Sequence, residues 1–415
     1  MNFHPYRIKY FILIIGILIH SSFLFGKNNP PPLQPRPKKI EIPFEYVNGL
    51  IELNIKMNNL PLRFIYDTGA EHTILSKKEL AGLIGLKILK EIEVYGADFN
   101  KKLSAYITNP VKINIEDVYE RQYPILILSE DIFSFNNTGE STIHGIIGAS
   151  FFRNKIVKID YLRKILTVYP AEYEINLKGF EEMSVTFYGH KPVMDSKIII
   201  NRNDTTILTK ILMDTGSSVP LIFMKHLDSK FKLPEKIVKG QLGIGLGGDL
   251  EGWIGLINRV YLGKFKFNEI ICKFQDVDST FMLRSKTRRN GIAGNEIMKK
   301  FTVIIDNVHK KLYLKPNKLF NEKINYDKSG ITLFAAGKNL DKYYIKYVIP
   351  DSPADLAGLK PNDRIVSVQY FPAIFWAVDS ITNLFKKKEN KKIRLKIIRN
   401  KKKQVYTFRL KDMFH

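Results

Sequence analysis

One pattern occurs twice in the sequence and limits the fold more than any other feature. Residues 64–73 read Phe-Ile-Tyr-Asp-Thr-Gly-Ala-Glu-His-Thr, and residues 211–220 read Ile-Leu-Met-Asp-Thr-Gly-Ser-Ser-Val-Pro. In each copy an apolar run ends in an Asp-Thr-Gly turn. A second apolar run follows, Ile74-Leu75 in the first and Leu221-Ile222-Phe223 in the second. Each copy reads as a strand that delivers one carboxylate, Asp67 or Asp214, at a tight turn. The glycine permits close backbone approach, and the threonine hydroxyl can brace a neighbour. One such turn is ordinary; two suggest carboxylates meant to meet.

The frame around the turns repeats as well. Asp67 and Asp214 lie 147 residues apart. Gly145-Ile146-Ile147-Gly148 answers to Gly291-Ile292-Ala293-Gly294 at a spacing of 146, and Asp160 answers to Asp306 at the same spacing. Each half then closes on a further apolar strand, residues 164–169 and 311–314. So long a period, used only twice, predicts two similar domains and not a solenoid.

Asp-Thr-Gly-Ala and Asp-Thr-Gly-Ser, each followed downstream by two apolar residues and a glycine, resemble the aspartic proteases of the retropepsin and pepsin type. The resemblance covers residues 41–316. It implies a mainly β fold with two retropepsin-like β-barrel lobes, residues 41–172 and 180–316, related by pseudo-twofold symmetry around a cleft. It also implies Asp67 and Asp214 as the catalytic pair, supported by Thr68, Gly69, Ala70, Thr215, Gly216 and Ser217. A polypeptide would be the substrate, with no cofactor and no metal.

The family geometry sets two such carboxylates about 3 Å apart. At an effective dielectric near 20 they repel by on the order of 5 kcal/mol, or about four pK units. One proton is then shared by the pair. The ionised partner would draw a proton from a water, while the protonated partner hydrogen-bonds the scissile carbonyl. A hydroxyl at Ser217 is expected to donate to Asp214 and lower its pKa, which Ala70 cannot do for Asp67. The expectation is an asymmetric dyad with the proton more often on Asp67.

Two hairpin tips stand where flaps over the cleft would lie. Tyr95-Gly96 ends an alternating run 28 residues past Asp67, and the glycine-rich stretch 243–248 begins 29 residues past Asp214. Gly245, Gly247 and Gly248 suit a mobile tip, because glycine lowers the cost of opening and reclosing. For Tyr95-Gly96 a plain hairpin tip is an equal alternative. The glycine-rich stretch lacks the Lys-Ser/Thr of a phosphate-binding loop.

Beyond a polar linker at 317–327, residues 348–368 read Val-Ile-Pro-Asp-Ser-Pro-Ala-Asp-Leu-Ala-Gly-Leu-Lys-Pro-Asn-Asp-Arg-Ile-Val-Ser-Val. They resemble the core of a PDZ domain, an α+β module spanning about 328–412. The resemblance implies helices at 354–357 and 379–387, a strand at 364–368, and closing strands at 393–397 and 405–408. It makes Ser329, Gly330, Ile331, Thr332 and Leu333 the carboxylate-binding loop and groove strand for a C-terminal peptide. The sequence departs from the family at Gln369-Tyr370-Phe371-Pro372, where Asn-Gly is usual.

Composition narrows the partners. The 65 Lys and Arg outnumber the 41 Asp and Glu, for a formal net charge of +24 spread over nearly every segment. That reads as a solvated basic surface. Zinc-finger spacing, RNA-recognition signatures and basic heptad helices are missing from the sequence, so no nucleic-acid partner is expected. The single Cys272, in an apolar strand, reads as a buried structural thiol. The eight His show no ligand pattern.

At the N-terminus, Arg7 and Lys9 precede an apolar run at 11–19, within the ~7–15 residues of an export signal. His20-Ser21-Ser22 interrupts it, short of the ~20 residues that span a bilayer. Residues 1–26 are thus a cleaved signal peptide or an uncleaved anchor that associates with the membrane. Either predicts an exported protein of a periplasm or cell envelope. The proline-rich residues 27–40 read as an extended linker.

Several functions from different classes fit these features, among them a module that binds peptides in the cleft without cutting and a basic structural protein tethered to the envelope; two lead. One is an exported aspartic endopeptidase whose PDZ domain recognises substrate or partner. The other is a catalytically silent peptide-binding adaptor of the cell envelope acting through the PDZ domain. Intact Asp, Thr and Gly in both copies favour the enzyme, since a silent scaffold has no chemical need for either carboxylate.

Overall fold

The computed structural model describes residues 38–95, 102–129, 143–225, 231–245, 248–277, 288–337 and 341–414. The signal-like segment, Gly96 and Gly247 lie outside them. Among the described residues no helix is long and apolar enough to cross a membrane.

The fold is mainly β, and alternation in the sequence sets its first strands. On the strand Leu50–Met57, Ile51, Leu53, Ile55 and Met57 are buried while Asn54 and Lys56 face solvent. Asn58 and Asn59, both at positive φ, close a two-residue hairpin that sends Leu60–Asp67 back along it. That strand ends on Asp67.

Both lobes then use one device. The strand Gly145–Gly148 runs parallel to the end of Leu60–Asp67, setting Gly148 against Asp67, and antiparallel to Ile74–Leu75. In the second lobe Gly291–Ala293 runs parallel to Ile207–Met213 and antiparallel to Leu221–Lys225. Each glycine-bounded strand therefore threads between the two arms of an Asp-Thr-Gly turn. A Cβ at Gly148 would collide with the His72 carbonyl, and one at Gly294 with the carbonyls of Ser217 and Val219. This close approach explains why both ends of the downstream motif are glycine.

In the second lobe, Lys191–Ile199 pairs with Ile207–Met213 on one edge and with Gly248–Leu262 on the other, which closes a barrel. Cys272 lies fully buried in it, on the strand Phe265–Asp276.

The lobes are joined by a sheet to which both contribute. Its order is Ile40–Pro43, Ile165–Tyr169, Ile156–Asp160, Phe301–Asp306, Lys311–Pro316 and Glu181–Glu182. At its centre Ile156 pairs with Asp306, and Asp160 with Thr302. In the duplication Ile156 corresponds to Thr302 and Asp160 to Asp306, so the two pairs exchange. That exchange is what a pseudo-twofold axis through the sheet produces. A single apolar core runs through both lobes, while the third domain has its own.

The segment expected as a polar linker is instead fastened to the second lobe. The Phe320 ring packs among Phe265, Phe267 and Phe301 at centroid distances of 5.7, 5.6 and 5.4 Å. The buried Lys300 donates to the carbonyls of Leu319, Phe320 and Glu322. Phe320, with three phenylalanines to receive it, and Ile324, which packs against the same core, override the polar residues around them.

The third domain is a sheet ordered Ile331–Ala336, Lys342–Val348, Arg364–Val368, Lys392–Arg399 and Lys402–Arg409. Its helices are Pro353–Leu356 and Val378–Phe385. Ser352 caps the first by accepting the Asp355 N–H, with Pro353 in the first turn. At the departing turn Gln369 takes φ 57° and the Phe371–Pro372 strand still pairs back on Ser367 and Val368.

Ile159 and Val303 are fully buried and directly opposite in the shared sheet. Ile159→Ala should lower stability by roughly 2–5 kcal/mol in guanidinium unfolding. Adding Val303→Ala should cost less than the sum of the singles, because the residues are neighbours. Strict additivity would say that these strands do not meet.

Candidate active site

The two turns meet at the lobe interface, each held by the other lobe. The Thr68 N–H donates to Thr215 Oγ1 and the Thr215 N–H donates to Thr68 Oγ1, both at 3.0 Å. Each hydroxyl then donates onward across the interface: Thr68 to the Met213 carbonyl at 2.6 Å, Thr215 to the Tyr66 carbonyl at 2.8 Å. Both threonines are buried, so a missing partner would leave a buried polar group unsatisfied, at a cost of about 1–3 kcal/mol each. Only the β-hydroxyl of Thr or Ser, which both donates and accepts, can serve this exchange.

This lock brings the carboxyls together. The Asp67 and Asp214 side chains are within hydrogen-bonding reach of each other. A Cβ on Gly69 would stand 2.5 Å from Asp214 Oδ2, and one on Gly216 would overlap the Asp67 carboxyl. Each glycine is therefore empty space filled by the opposite carboxylate. Asp67 Oδ1 also accepts the N–H groups of Gly69 (2.7 Å) and Ala70 (3.0 Å). Asp214 Oδ1 accepts that of Gly216 at 2.8 Å.

Burial, then the charge of Asp214 and the hydrogen bond with it, raise the Asp67 carboxyl well above the usual carboxylate range; the Ala70 and Gly69 N–H groups oppose this. The direction of the Asp67 shift suits the more protonated partner of the pair, and its causes do not include Ser217. The Ser217 hydroxyl makes no hydrogen bond to Asp214. It lies over Gly294 instead, 2.8 Å from where a Cβ there would stand. Ser217 serves through its backbone, its N–H reaching the Asp214 carbonyl and its carbonyl accepting the Asn295 N–H. The threaded strand pulls the chain after Gly216 toward Gly294 and turns the hydroxyl away from the carboxylate.

Several residues at the site carry no signal in the motif. Asn295 is fully buried and donates through Nδ2 to the carbonyls of Gly49 (2.8 Å) and Thr215 (2.7 Å), while its Oδ1 accepts the Tyr161 hydroxyl at 2.7 Å. It ties the second turn to two segments of the first lobe. Glu71 reaches across to His190, with Oε1 2.6 Å from Nδ1 and Oε2 accepting the His190 N–H at 3.0 Å. Burial alone would raise the Glu71 carboxyl, but the His190 ring and N–H and the charges of His190 and Lys191 hold it below the usual range.

Lys191 opens its strand paired with Tyr188, and the charges of Glu71, Asp67 and Asp214 reach it. Burial, reinforced by the Arg289 charge, lowers its pKa. Burial likewise lowers that of Arg289, against the pull of Asp214 and Asp67. Two cations therefore offset part of the charge on the carboxyl pair. Glu71 lies two residues past Gly69 and His190 in the turn before the strand that Lys191 opens, but no spacing rule links them.

Of the flap residues, Tyr95 ends the strand Ile88–Tyr95 opposite Lys102, and the tip with Gly96 is outside the described residues. Gly245 and Gly248 pair as the last and first residues of two strands, with Gly247 outside the described residues between them. That second hairpin touches the third domain, where Ile349 comes within 3.7 Å of a Cβ built on Gly240. Ser329 and Gly330 form a buried loop, and Ile331, Thr332 and Leu333 begin the edge strand Ile331–Ala336.

The raised Asp67 gives stability a pH dependence whose sign is fixed. The unfolded chain releases this proton in the ordinary carboxylate range, and the folded chain holds it to higher pH. The contribution is fully present below the unfolded pKa and is lost as pH rises through the folded one. Asp67→Asn carries no such proton. Its melting temperature relative to the parent should climb steadily from acidic to neutral pH; parallel curves would contradict the geometry.

Comparison with known proteins agrees with this description. Residues 53–151 match the aspartyl protease family model, and residues 344–399 match that of the PDZ domain. A search of curated proteins finds no match. Among solved structures, the crystal structure of Basic 7S globulin from soybean is similar at 8% identity and a TM-score of 0.42, covering 69% of this chain and 97% of that one. A likeness at that level carries no argument about fold or function. On the family models, the chain carries an aspartyl protease region in its first lobe and a PDZ domain near its C-terminus.

Proposed function

We propose that the chain is an aspartic endopeptidase that hydrolyses peptide bonds with a water activated between Asp67 and Asp214. The observation that supports it most is the packing of each carboxyl into the space left by the other turn's glycine. A buried acid beside a like charge is costly for a scaffold and useful for acid–base chemistry near neutral pH.

In the proposed reaction Asp214, ionised, takes a proton from the water as its oxygen bonds to the scissile carbonyl carbon. Asp67, protonated, donates a hydrogen bond to the carbonyl oxygen and then its proton, giving a neutral gem-diol. The leaving nitrogen is protonated by Asp214, the C–N bond breaks, and one gem-diol hydroxyl returns a proton to Asp67. One water is consumed and the dyad ends as it began. Thr68 and Thr215 position the turns; Lys191 and Arg289 moderate the pair's charge.

The PDZ domain is proposed to recognise a segment of substrate or partner, and its contact at Gly240 lies on the glycine-rich hairpin of the second lobe. Export is proposed on the N-terminal segment alone, and would be refuted by an intact N-terminus on a protein recovered from the cytoplasm.

The test is cleavage of unfolded polypeptide from mildly acidic to neutral pH, with and without a statine-type inhibitor. Asp67→Asn, Asp214→Asn and the double variant should each lose activity to the same floor, because the carboxyls act as a unit. Partial losses that add, or activity indifferent to the inhibitor, would exclude the mechanism. Well-folded protein with no cleavage at any pH would favour the adaptor.

A further inference from the structure

The loop of the PDZ domain that the family resemblance assigns to a peptide's terminal carboxylate is already occupied by a side chain of this chain. The Ser329 and Gly330 N–H groups donate to Asp327 Oδ1 at 2.9 and 2.7 Å. The Ser329 hydroxyl donates to both Asp327 oxygens at 2.9 and 3.1 Å, and the Ile331 N–H donates to that hydroxyl oxygen at 3.1 Å. Three successive backbone donors thus end on one carboxylate, two directly and one through the serine.

The seat is also built rigidly. Gly330 sits at φ 82° with Ser352 packed against it, where any side chain would collide. The Lys328 N–H donates to the Phe385 carbonyl at the end of the Val378–Phe385 helix, and the Lys328 carbonyl accepts the Lys411 N–H. The loop is therefore held in its donor-converging shape from both sides, and Asp327 is what that shape encloses.

We propose that Asp327 is a resident carboxylate filling the terminal-carboxylate seat, so that the groove takes an internal extended segment of a polypeptide and not a chain end. An incoming carboxylate would find the Ser329, Gly330 and Ile331 N–H groups already engaged and would meet a like charge at contact distance. An internal segment needs neither. It adds as a strand along Ile331–Ala336, which pairs with Lys342–Val348 on one side and, among the described residues, with no strand on the other. Such a ligand is an unfolded stretch of chain with uncharged main-chain groups at the loop. The inference rests on reading the PDZ domain as a peptide binder and is independent of the peptidase proposal.

The test measures binding of the full chain, inhibitor present, to a pool of N-terminally labelled random peptides made once as free acids and once as C-terminal amides. Anisotropy should give affinities for acid and amide within about twofold of each other. Asp327→Ala, which empties the seat, should then prefer the acids by roughly tenfold, or about 1.4 kcal/mol. Asp327→Asn keeps an acceptor oxygen in the seat and should behave as the parent.

A parent that binds acids roughly tenfold tighter than amides overturns the proposal. So does a parent that binds neither pool, or a folded Asp327→Ala with no gain for acids. If Asp327→Ala fails to fold by circular dichroism, the acid-to-amide ratio of the parent decides alone. None of these results bears on the cleavage assay, so the two readings fail separately.

Discussion

Thr68 and Thr215 each receive the other's backbone N–H and pass a proton donor to the opposite strand, and the rest of the structure follows from that exchange. These four bonds cannot form within one lobe. They require two equivalent turns face to face, which fixes the relative placement of the lobes at one point. The shared sheet fixes it at a second, through Ile156–Asp160 against Phe301–Asp306. Two constraints on one symmetry axis leave little freedom, and the carboxyls at the turn tips are pressed together as a consequence.

That pressing is unfavourable for the carboxyls themselves. For Asp67, burial and the charge of Asp214 both resist ionisation, and the N–H groups of Ala70 and Gly69 return only part of the cost. The pair persists because the threonine exchange, Asn295 and the interlobe sheet over-determine the backbone that carries it. Strain at a functional site is sustained in this way when the surrounding structure holds it. The two turns depart from exact symmetry: the Ala70 N–H donates to the Asp67 carboxyl while the Ser217 N–H reaches the Asp214 backbone carbonyl, and Glu71 bonds His190. The cations Lys191 and Arg289 both come from the second lobe, so the electrostatic field is less symmetric than the fold.

How much was legible in the sequence depended on whether the signal was local. The turns, the threaded glycine strands and the PDZ core announce themselves because tight approaches admit few residues: Gly69, Gly148, Gly216 and Gly294 have no alternative in this geometry. The duplication made the pairing of Asp67 with Asp214 readable across 147 residues. Contacts made by unremarkable residues left no trace. Asn295 reads as one more polar residue until its three partners are seen, and Phe320 hid in a stretch that composition called a linker. Ser217 misled because its type allowed a bond that the path of the chain toward Gly294 forbids. In the PDZ loop, sequence gave no sign that Asp327, two positions before Ser329, would take the N–H groups of Ser329 and Gly330.

Asp67 and Asp214, packed against each other's glycines, are expected to share one proton. Carbon-13 labelling of the aspartate carboxyls and titration by nuclear magnetic resonance, with Asp67→Asn and Asp214→Asn to assign the two signals, tests it most directly. Two well-separated steps that each move both signals, with a single proton retained between them, are predicted. Two independent carboxyls titrating together in the ordinary range would contradict it.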